Sequence, residues 1–129
     1  MKYAVEYALK APMGGVKLTG GRLKKAFDNN VSFLKGFDVD RMLYWYRVHQ
    51  GKPAPGVPYA SDAGHFENNL KGQTAGEFMM GAGASLLWGE DAELRGMVRR
   101  LLDCIEAGRE SDGFILPITR DEFRTREYP

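Results

Sequence analysis

Gln73 and Glu77 stand one helical turn apart at the head of a stretch with no charge from Phe78 to Gly89. At that spacing two side chains share one face of a helix. Amide and carboxylate oxygens accept hydrogen bonds from hydroxyl groups, so the pair suits a hydroxyl-bearing ligand. An N-terminal carboxylate that favours the helix dipole, beside a solvated glutamine, explains the same spacing without a ligand. His65 lies in a polar loop with Asp62 and Glu67. That spacing fits no standard ligand set and offers one histidine, so no metal site is assigned, and His65 is read as lining a pocket mouth. His49 falls at a helix C-terminus, where partial positive charge is favourable. Cys104 is the one cysteine; it excludes an internal disulfide, cannot alone build a zinc site, and has no histidine placed to activate it. Tyr44, Trp45 and Tyr46 could stack on a ring, but aromatic stripes at helical spacing are more often core. No catalytic residue is assigned.

The element that must position these groups is residues 73–88. Ala75, Phe78, Met79, Ala82 and Leu86 project to one side of it, and Met80, Ala84, Leu87 and Trp88 to the other. A helix apolar on every face is expected to be buried on every face, with Phe78 and Leu86 inaccessible. Gly76, Gly81 and Gly83 each cost roughly 1 kcal/mol relative to alanine, which implies a close approach by neighbours. The run is shorter than the ~20 apolar residues a bilayer span needs. It reads as an inner helix with Gln73, Thr74 and Glu77 at its mouth, facing the loop 59–69.

The remaining chain reads as helices around it. Leu23, Phe27, Val31 and Leu34 mark a helix over 22–35, ended by Gly36. Val39, Met42, Leu43 and Tyr46 mark another over 39–50, with Asp38 or Asp40 as cap. Pro53, Pro55 and Pro58 stiffen the connection that follows. Asp91 caps a helix over 91–107 whose stripe is Leu94, Met97, Val98, Leu101, Leu102 and Ile105. Two hairpins in series are expected, 22–35 with 39–50 and 73–88 with 91–107. Short β segments are expected at 3–7, 16–18 and 114–116, and the charged tail from Thr119 is read as lacking a cap. Residues 1–21 form an entry segment, and 22–129 the helical unit.

At 129 residues the chain has the size of one domain. Its 43% apolar residues suffice for a core, and 12% aromatics argue against disorder. Eighteen basic against seventeen acidic residues leave a net charge of +1, which gives no electrostatic reason to expect nucleic acid or anionic membrane. Glu6 and Lys10 interrupt any secretory h-region, so a cytoplasmic location is expected. Four helices leave the inner layer underemployed, and self-association through uncovered faces is expected.

Several landmarks, taken together, resemble one family. Asp40-Arg41-Met42-Leu43 with Tyr46-Arg47 resembles a D-R-L-L…(F/Y)-R segment. Phe66-Glu67 stands, with a one-residue shift, where a Trp-Glu is usual. Lys71-Gly72-Gln73-Thr74-Ala75-Gly76-Glu77-Phe78-Met79 resembles the signature (R/A)-G-H-x-x-G-H-(Y/F)-L, and Asp112-Gly113-Phe114-Ile115 a later D-G-Y-L turn. The family is glycoside hydrolase family 127, the β-L-arabinofuranosidase-like proteins. The resemblance covers roughly residues 16–120. It implies a mainly α fold, helical hairpins from the N-terminal part of an (α/α)₆ barrel, and arabinofuranosyl or related plant-type glycans as substrates. It also implies sugar-binding roles for Gln73, Glu77, His65 and Phe66. The signature's two histidines are Gln73 and Glu77 here. The family's zinc-bound cysteine, its co-ligands and its acid/base glutamate have no counterpart, so no cofactor is expected in this chain and no activity from it alone. A non-catalytic helical module that binds sugar or protein is the alternative.

Overall fold

The computed structural model describes residues 16–62 and 70–127. These contain helices α1 (Gly21–Lys35), α2 (Val39–Met42), α3 (Tyr44–His49), α4 (Gln73–Trp88), α5 (Ala92–Glu106) and α6 (Arg120–Glu127), with a 3₁₀ turn at Ala60–Asp62. The mainly helical character read from the periodicity holds. The helix expected over 39–50 comes as two pieces set end to end, and Arg47 N donates to Leu43 O at 3.0 Å across the junction. Asp38, not Asp40, is its cap, accepting from Asp40 N at 2.8 Å. Asp91 caps α5 by accepting from Leu94 N at 2.9 Å.

Of the two expected hairpins the second forms, with α4 packed along α5, and the first does not. α1 lies on α4 and α5, and α2 and α3 both pack on α5. One core joins them: Leu34 from α1, Val39 and Met42 from α2, Leu43, Tyr46 from α3, Ala75, Phe78 and Ala82 from α4, and Leu94 and Leu101 from α5. The amphipathic stripe of α5 serves as the common floor, so the first hairpin opens and gives each of its arms a separate place there. Gly81 of α4 faces Leu34 of α1 at ordinary contact distance. A Cβ there would stand 3.4 Å from Leu34 Cδ2. A few residues on, Asn30 Nδ2 donates to Ser85 Oγ at 3.2 Å, tying α1 to α4.

α4 is not buried on every side. Phe78 is 2% exposed and Ala75 and Ala82 are fully covered, whereas Met80 is 79% exposed, Leu87 49% and Trp88 42%. Leu86 is half-buried. A Cβ at Gly76 or Gly83 would meet nothing within 4 Å. Close approach therefore requires none of the three: Gly81 faces Leu34 at ordinary contact distance, and the other two face open space. Helices α1 and α5 and the 3₁₀ turn are the described elements packed on α4, and they leave Met80, Leu87 and Trp88 exposed.

Two further expectations are corrected. Residues 16–18 and 114–116 form no strand, because no described segment pairs with them; residues 3–7 lie outside the described residues. Around the second segment the chain makes a turn, with Glu110 N donating to Phe114 O at 2.9 Å. The tail is helical and capped. Thr119 N donates to Glu122 Oε2 at 2.9 Å and Glu122 N to Thr119 Oγ1 at 3.1 Å, a reciprocal capping box.

Phe78 joins α4 to the core and stacks on Phe37 with ring centroids 5.8 Å apart. Phe78→Ala is expected to lower stability by roughly 3–5 kcal/mol in denaturant unfolding. A loss below about 1 kcal/mol would remove Phe78 from the centre of the core.

Candidate functional site

α4 begins at Lys71-Gly72, and its first turn is held without a local cap. Gly72 has φ 84° and supplies no side-chain acceptor. A Cβ on it would stand 2.7 Å from Pro117 Cγ and 3.0 Å from the Tyr46 hydroxyl, so both its conformation and its surroundings require glycine. The missing acceptor comes from twelve residues upstream. Asp62 Oδ1 accepts from Thr74 N at 3.1 Å and from Thr74 Oγ1 at 3.0 Å. Thr74 Oγ1 spends its proton on Asp62, so the 2.7 Å contact with Ser61 Oγ is a bond in which Ser61 donates. The backbone of Asp62 is fixed as well: its N donates to Tyr59 O at 2.9 Å, and its carbonyl accepts from Trp45 Nε1 at 2.7 Å.

Asp62 is fully buried. Burial pushes its carboxyl above the usual carboxylate range; the two Thr74 donors oppose that, and the charge of Glu77 adds to it. Its Oδ2 has no hydrogen-bond partner among the described residues. Burial, and then the charge of Asp62, also raise the Tyr46 hydroxyl.

On the first turn of α4, Gln73 Nε2 donates to Glu77 Oε1 at 2.8 Å. Gln73 is half-buried and Glu77 exposed. This bond leaves Gln73 Oε1, one amide hydrogen and Glu77 Oε2 for another partner. Residues 59–62 reach this turn through Ser61 and Asp62, while His65 and Phe66 lie outside the described residues.

Lys71 is held from two directions. Its ammonium lies 4.7 Å from the centre of the Trp45 ring and 2.6 Å from Glu122 Oε1. The Lys71 ion pair, then Thr119 N, hold the Glu122 carboxyl down at about 2. A cavity of about 200 Å³ lies here, lined by Trp45, His49, Lys71, Pro117, Thr119 and Glu122. Gln73 and Glu77 are not among its walls.

The other candidates have structural work. Arg41 donates to Val57 O at 3.1 Å and Pro58 O at 3.3 Å and lies over the Tyr59 ring, stapling the proline-rich connection to α2. Asp40 pairs with Arg47 at 2.7 Å and Arg100 at 3.0 Å. Tyr46 is core, and Lys71 sits over one face of Trp45. His49 Nε2 is 3.7 Å from Glu110 Oε1. Cys104 is half-buried in α5, its carbonyl accepting from Gln50 Nε2 at 2.8 Å. Among the described residues no three His, Cys, Asp or Glu side chains are placed to hold a metal ion, so these residues do not fit a zinc centre. Sequence reasoning missed Asp62 as an anchor and Glu122 as the partner of Lys71. The Thr119-Arg120-Asp121-Glu122 spacing signals Glu122 as a cap, but nothing local signals its pairing with Lys71.

A helical layer that presents a polar first turn beside a buried carboxylate defines a helical domain with its candidate site at a helix mouth. Residues 15–129 match the family model described as β-L-arabinofuranosidase, GH127 catalytic domain. The chain belongs to this glycoside hydrolase family. No curated protein and no solved structure matches the chain. No helix among the described residues is long and apolar enough to cross a membrane.

The lowered Glu122 carboxyl has a consequence for stability. Its folded value lies below the ordinary glutamate value of 4.5, so its contribution is present above 4.5 and is lost as pH falls towards about 2. In thermal melts between pH 5 and 2, wild type is expected to lose more of its melting temperature than Glu122→Gln. Parallel curves would show that the Lys71 pair and the capping box do not stabilise the fold.

Proposed function

We propose that this chain supplies a sugar-contacting part of a glycosidase acting on arabinofuranosyl or related plant-type glycans. In this reading residues 22–129 are the N-terminal portion of an α/α-barrel domain. Gln73 and Glu77 contact the sugar, with His65 and Phe66 completing the site from the preceding loop. The observation that carries the reading is the Gln73–Glu77 pair, hydrogen-bonded at 2.8 Å on the first turn of α4. The pair stands at the two signature positions where the resemblance expects histidines. Amide and carboxylate keep the capacity to bind hydroxyls, although they exchange some donors for acceptors. The partner is carbohydrate, not nucleic acid or membrane, and the location is cytoplasmic.

Hydrolysis is assigned to groups other than those described. Glycosidases usually set two carboxyl groups a few ångströms apart across the scissile bond, about 5–5.5 Å when retaining and 6.5–9.5 Å when inverting. Here many carboxylates are committed elsewhere: Asp28 to Lys24, Asp40 to Arg47, Glu90 to Arg95, Asp91 to Lys35, Asp112 to Arg120 and Glu122 to Lys71. Zinc, which the resemblance associates with the full family domain, enters no step of this proposal.

The 129-residue chain is expected to release no aryl leaving group from a panel of furanosides and pyranosides, with or without zinc. Titration with L-arabinose is expected to shift the Gln73 side-chain amide in NMR spectra. Glu77→Gln is expected to weaken that binding several-fold without a large change in melting temperature. Equal binding by the variant would make the pair a cap and sink the site. Hydrolysis above background, lost in Glu77→Gln, would make the chain a complete enzyme. Sugar binding without hydrolysis in any longer form of the protein would favour a non-catalytic module.

We also propose that the isolated chain self-associates through the open side of α4. Gly76, Met80, Gly83 and Leu87 fall on one stripe by helical spacing, and Met80 is 79% exposed. Light scattering is expected to show association that weakens in Met80→Glu. A wild-type chain that stays monomeric at high concentration would overturn this.

A further inference from the structure

Asp62 is the one acidic side chain in the buried core of the described residues. None of the ion pairs among those residues includes it. Its neighbours are named by its bonds and by the charges that reach it. Trp45 and Tyr46 face it from α3, Ser61 adjoins it, and Thr74 and Glu77 face it from α4. Cys104 of α5 bears on it only through Tyr46. Lys71, the nearby cation on Trp45, is engaged by Glu122 at 2.6 Å.

A buried carboxylate anion needs donors on both oxygens or a cation beside it. Asp62 has two donors on Oδ1 and none on Oδ2 among the described residues. Left without a partner, Oδ2 costs less as the O–H of a neutral acid than as one end of a buried anion, so the geometry favours the carboxylic acid, with Oδ1 accepting as a carbonyl. We propose that Asp62 works as a carboxylic acid with its proton on Oδ2, and that in this form it is the positioning residue for Gln73 and Glu77. Its route of action is Thr74, which stands between Gln73 and Glu77 on the same first turn. The link to sugar binding rests on the proposed function above; the proton and the anchoring do not.

Proton loss would create a charge in a site without a cation, close to the charge of Glu77. The anchor therefore weakens as pH rises. The sign follows from the raised carboxyl: a group whose folded value lies above its unfolded value contributes stability below the ordinary range near 3.8. That contribution is lost as pH rises through the folded value. The charge at the mouth thus reports on its own support, since Glu77 disfavours ionisation of the residue that holds its turn.

Asp62→Asn tests this directly, because an amide keeps the Oδ1 acceptor and, like the acid, carries no charge, with an NH2 of two hydrogens where the acid has one O–H. The full chain would be labelled with ¹³C and ¹⁵N and titrated from pH 3 to 9, with the Asp62 carboxyl carbon assigned by its loss in Asp62→Asn. The Asp62 carboxyl carbon is expected to titrate above 3.8. The Thr74 amide and the Gln73 side-chain amide should move with the same midpoint. In Asp62→Asn both should hold the wild-type low-pH positions at every pH, and its melting temperature should gain on wild type as pH rises. Asp62→Ala should shift both resonances throughout, which a proton-independent scaffold would also do; rescue by asparagine is what separates the two. A carboxyl carbon titrating at or below 3.8, or an asparagine variant displaced as far as the alanine one, would overturn the proposal. If Asp62→Asn does not fold, the proposal is overturned too, because the variant mimics the acid form. None of these readouts uses a sugar, so failure of L-arabinose to bind counts against the proposed function alone.

Discussion

A helix that starts from a left-handed glycine reaches its first turn with free amides and no adjacent side chain to receive them. α4 is in that position, since Gly72 at φ 84° is required by its own conformation and by Pro117 and Tyr46 packed against it. An unsatisfied amide in a buried place costs on the order of 1–3 kcal/mol. Asp62 answers that demand at Thr74 N. The same residue takes the Trp45 indole on its carbonyl and closes the turn from Tyr59 with its own N–H. Three elements distant in sequence therefore meet on one aspartate. If it were lost, α3, the 3₁₀ turn and α4 would each lose a fixed neighbour, and the polar turn bearing Gln73 and Glu77 would lose its support.

The family signature divides physically along the same line. Lys71 and Gly72 belong to the support: the ammonium lies on Trp45 and pairs with Glu122, and the glycine fits where no other residue does. Thr74, Ala75 and Phe78 turn inward and are buried. Gln73 and Glu77 face outward and bond to each other. A motif of this kind combines a scaffold that fixes a backbone with a pair of positions whose side chains can vary. The outward pair can therefore differ without touching the buried residues that fix the backbone.

Helix existence was legible because it rests on local pattern. The boundaries of α1, α4 and α5 follow Gly36, Gly89 and the Asp91 cap, all visible in the sequence. Burial was less legible. Met80 and Leu87 are as apolar as Phe78 and Leu86, and only the placement of α1 and α5 decides which of them is covered. Gly76, Gly81 and Gly83 look alike on paper, yet one of the three meets Leu34. Phe114-Ile115-Leu116 has strand-like composition, but a strand needs a partner and none of the described segments provides one. At the site, the Gln73–Glu77 pair follows from helical spacing, whereas Asp62 does not. Its neighbours Ser61 and Gly64 suggest a solvated loop, and its role depends on a contact across twelve residues. Thr119 and Glu122 carry a legible capping-box spacing within a tail whose overall charge reads as solvated.

The stiffness of the chain just ahead of the site completes the argument. Arg41 grips the carbonyls of Val57 and Pro58 and covers Tyr59, whose hydroxyl accepts from Asp38 N at 2.8 Å. The proline-rich connection is thus fastened to the start of α2 immediately before it delivers Asp62. Preorganised groups bind better than groups that must be ordered on binding, since each freed side chain loses about 0.5–1.5 kcal/mol when it is fixed. A salt bridge exposed to water would contribute little here, but Arg41 uses two carbonyls and a ring face, contacts that need no counter-charge. The Asp-Arg segment therefore bears on α4 from a distance, by fixing where its anchor Asp62 arrives.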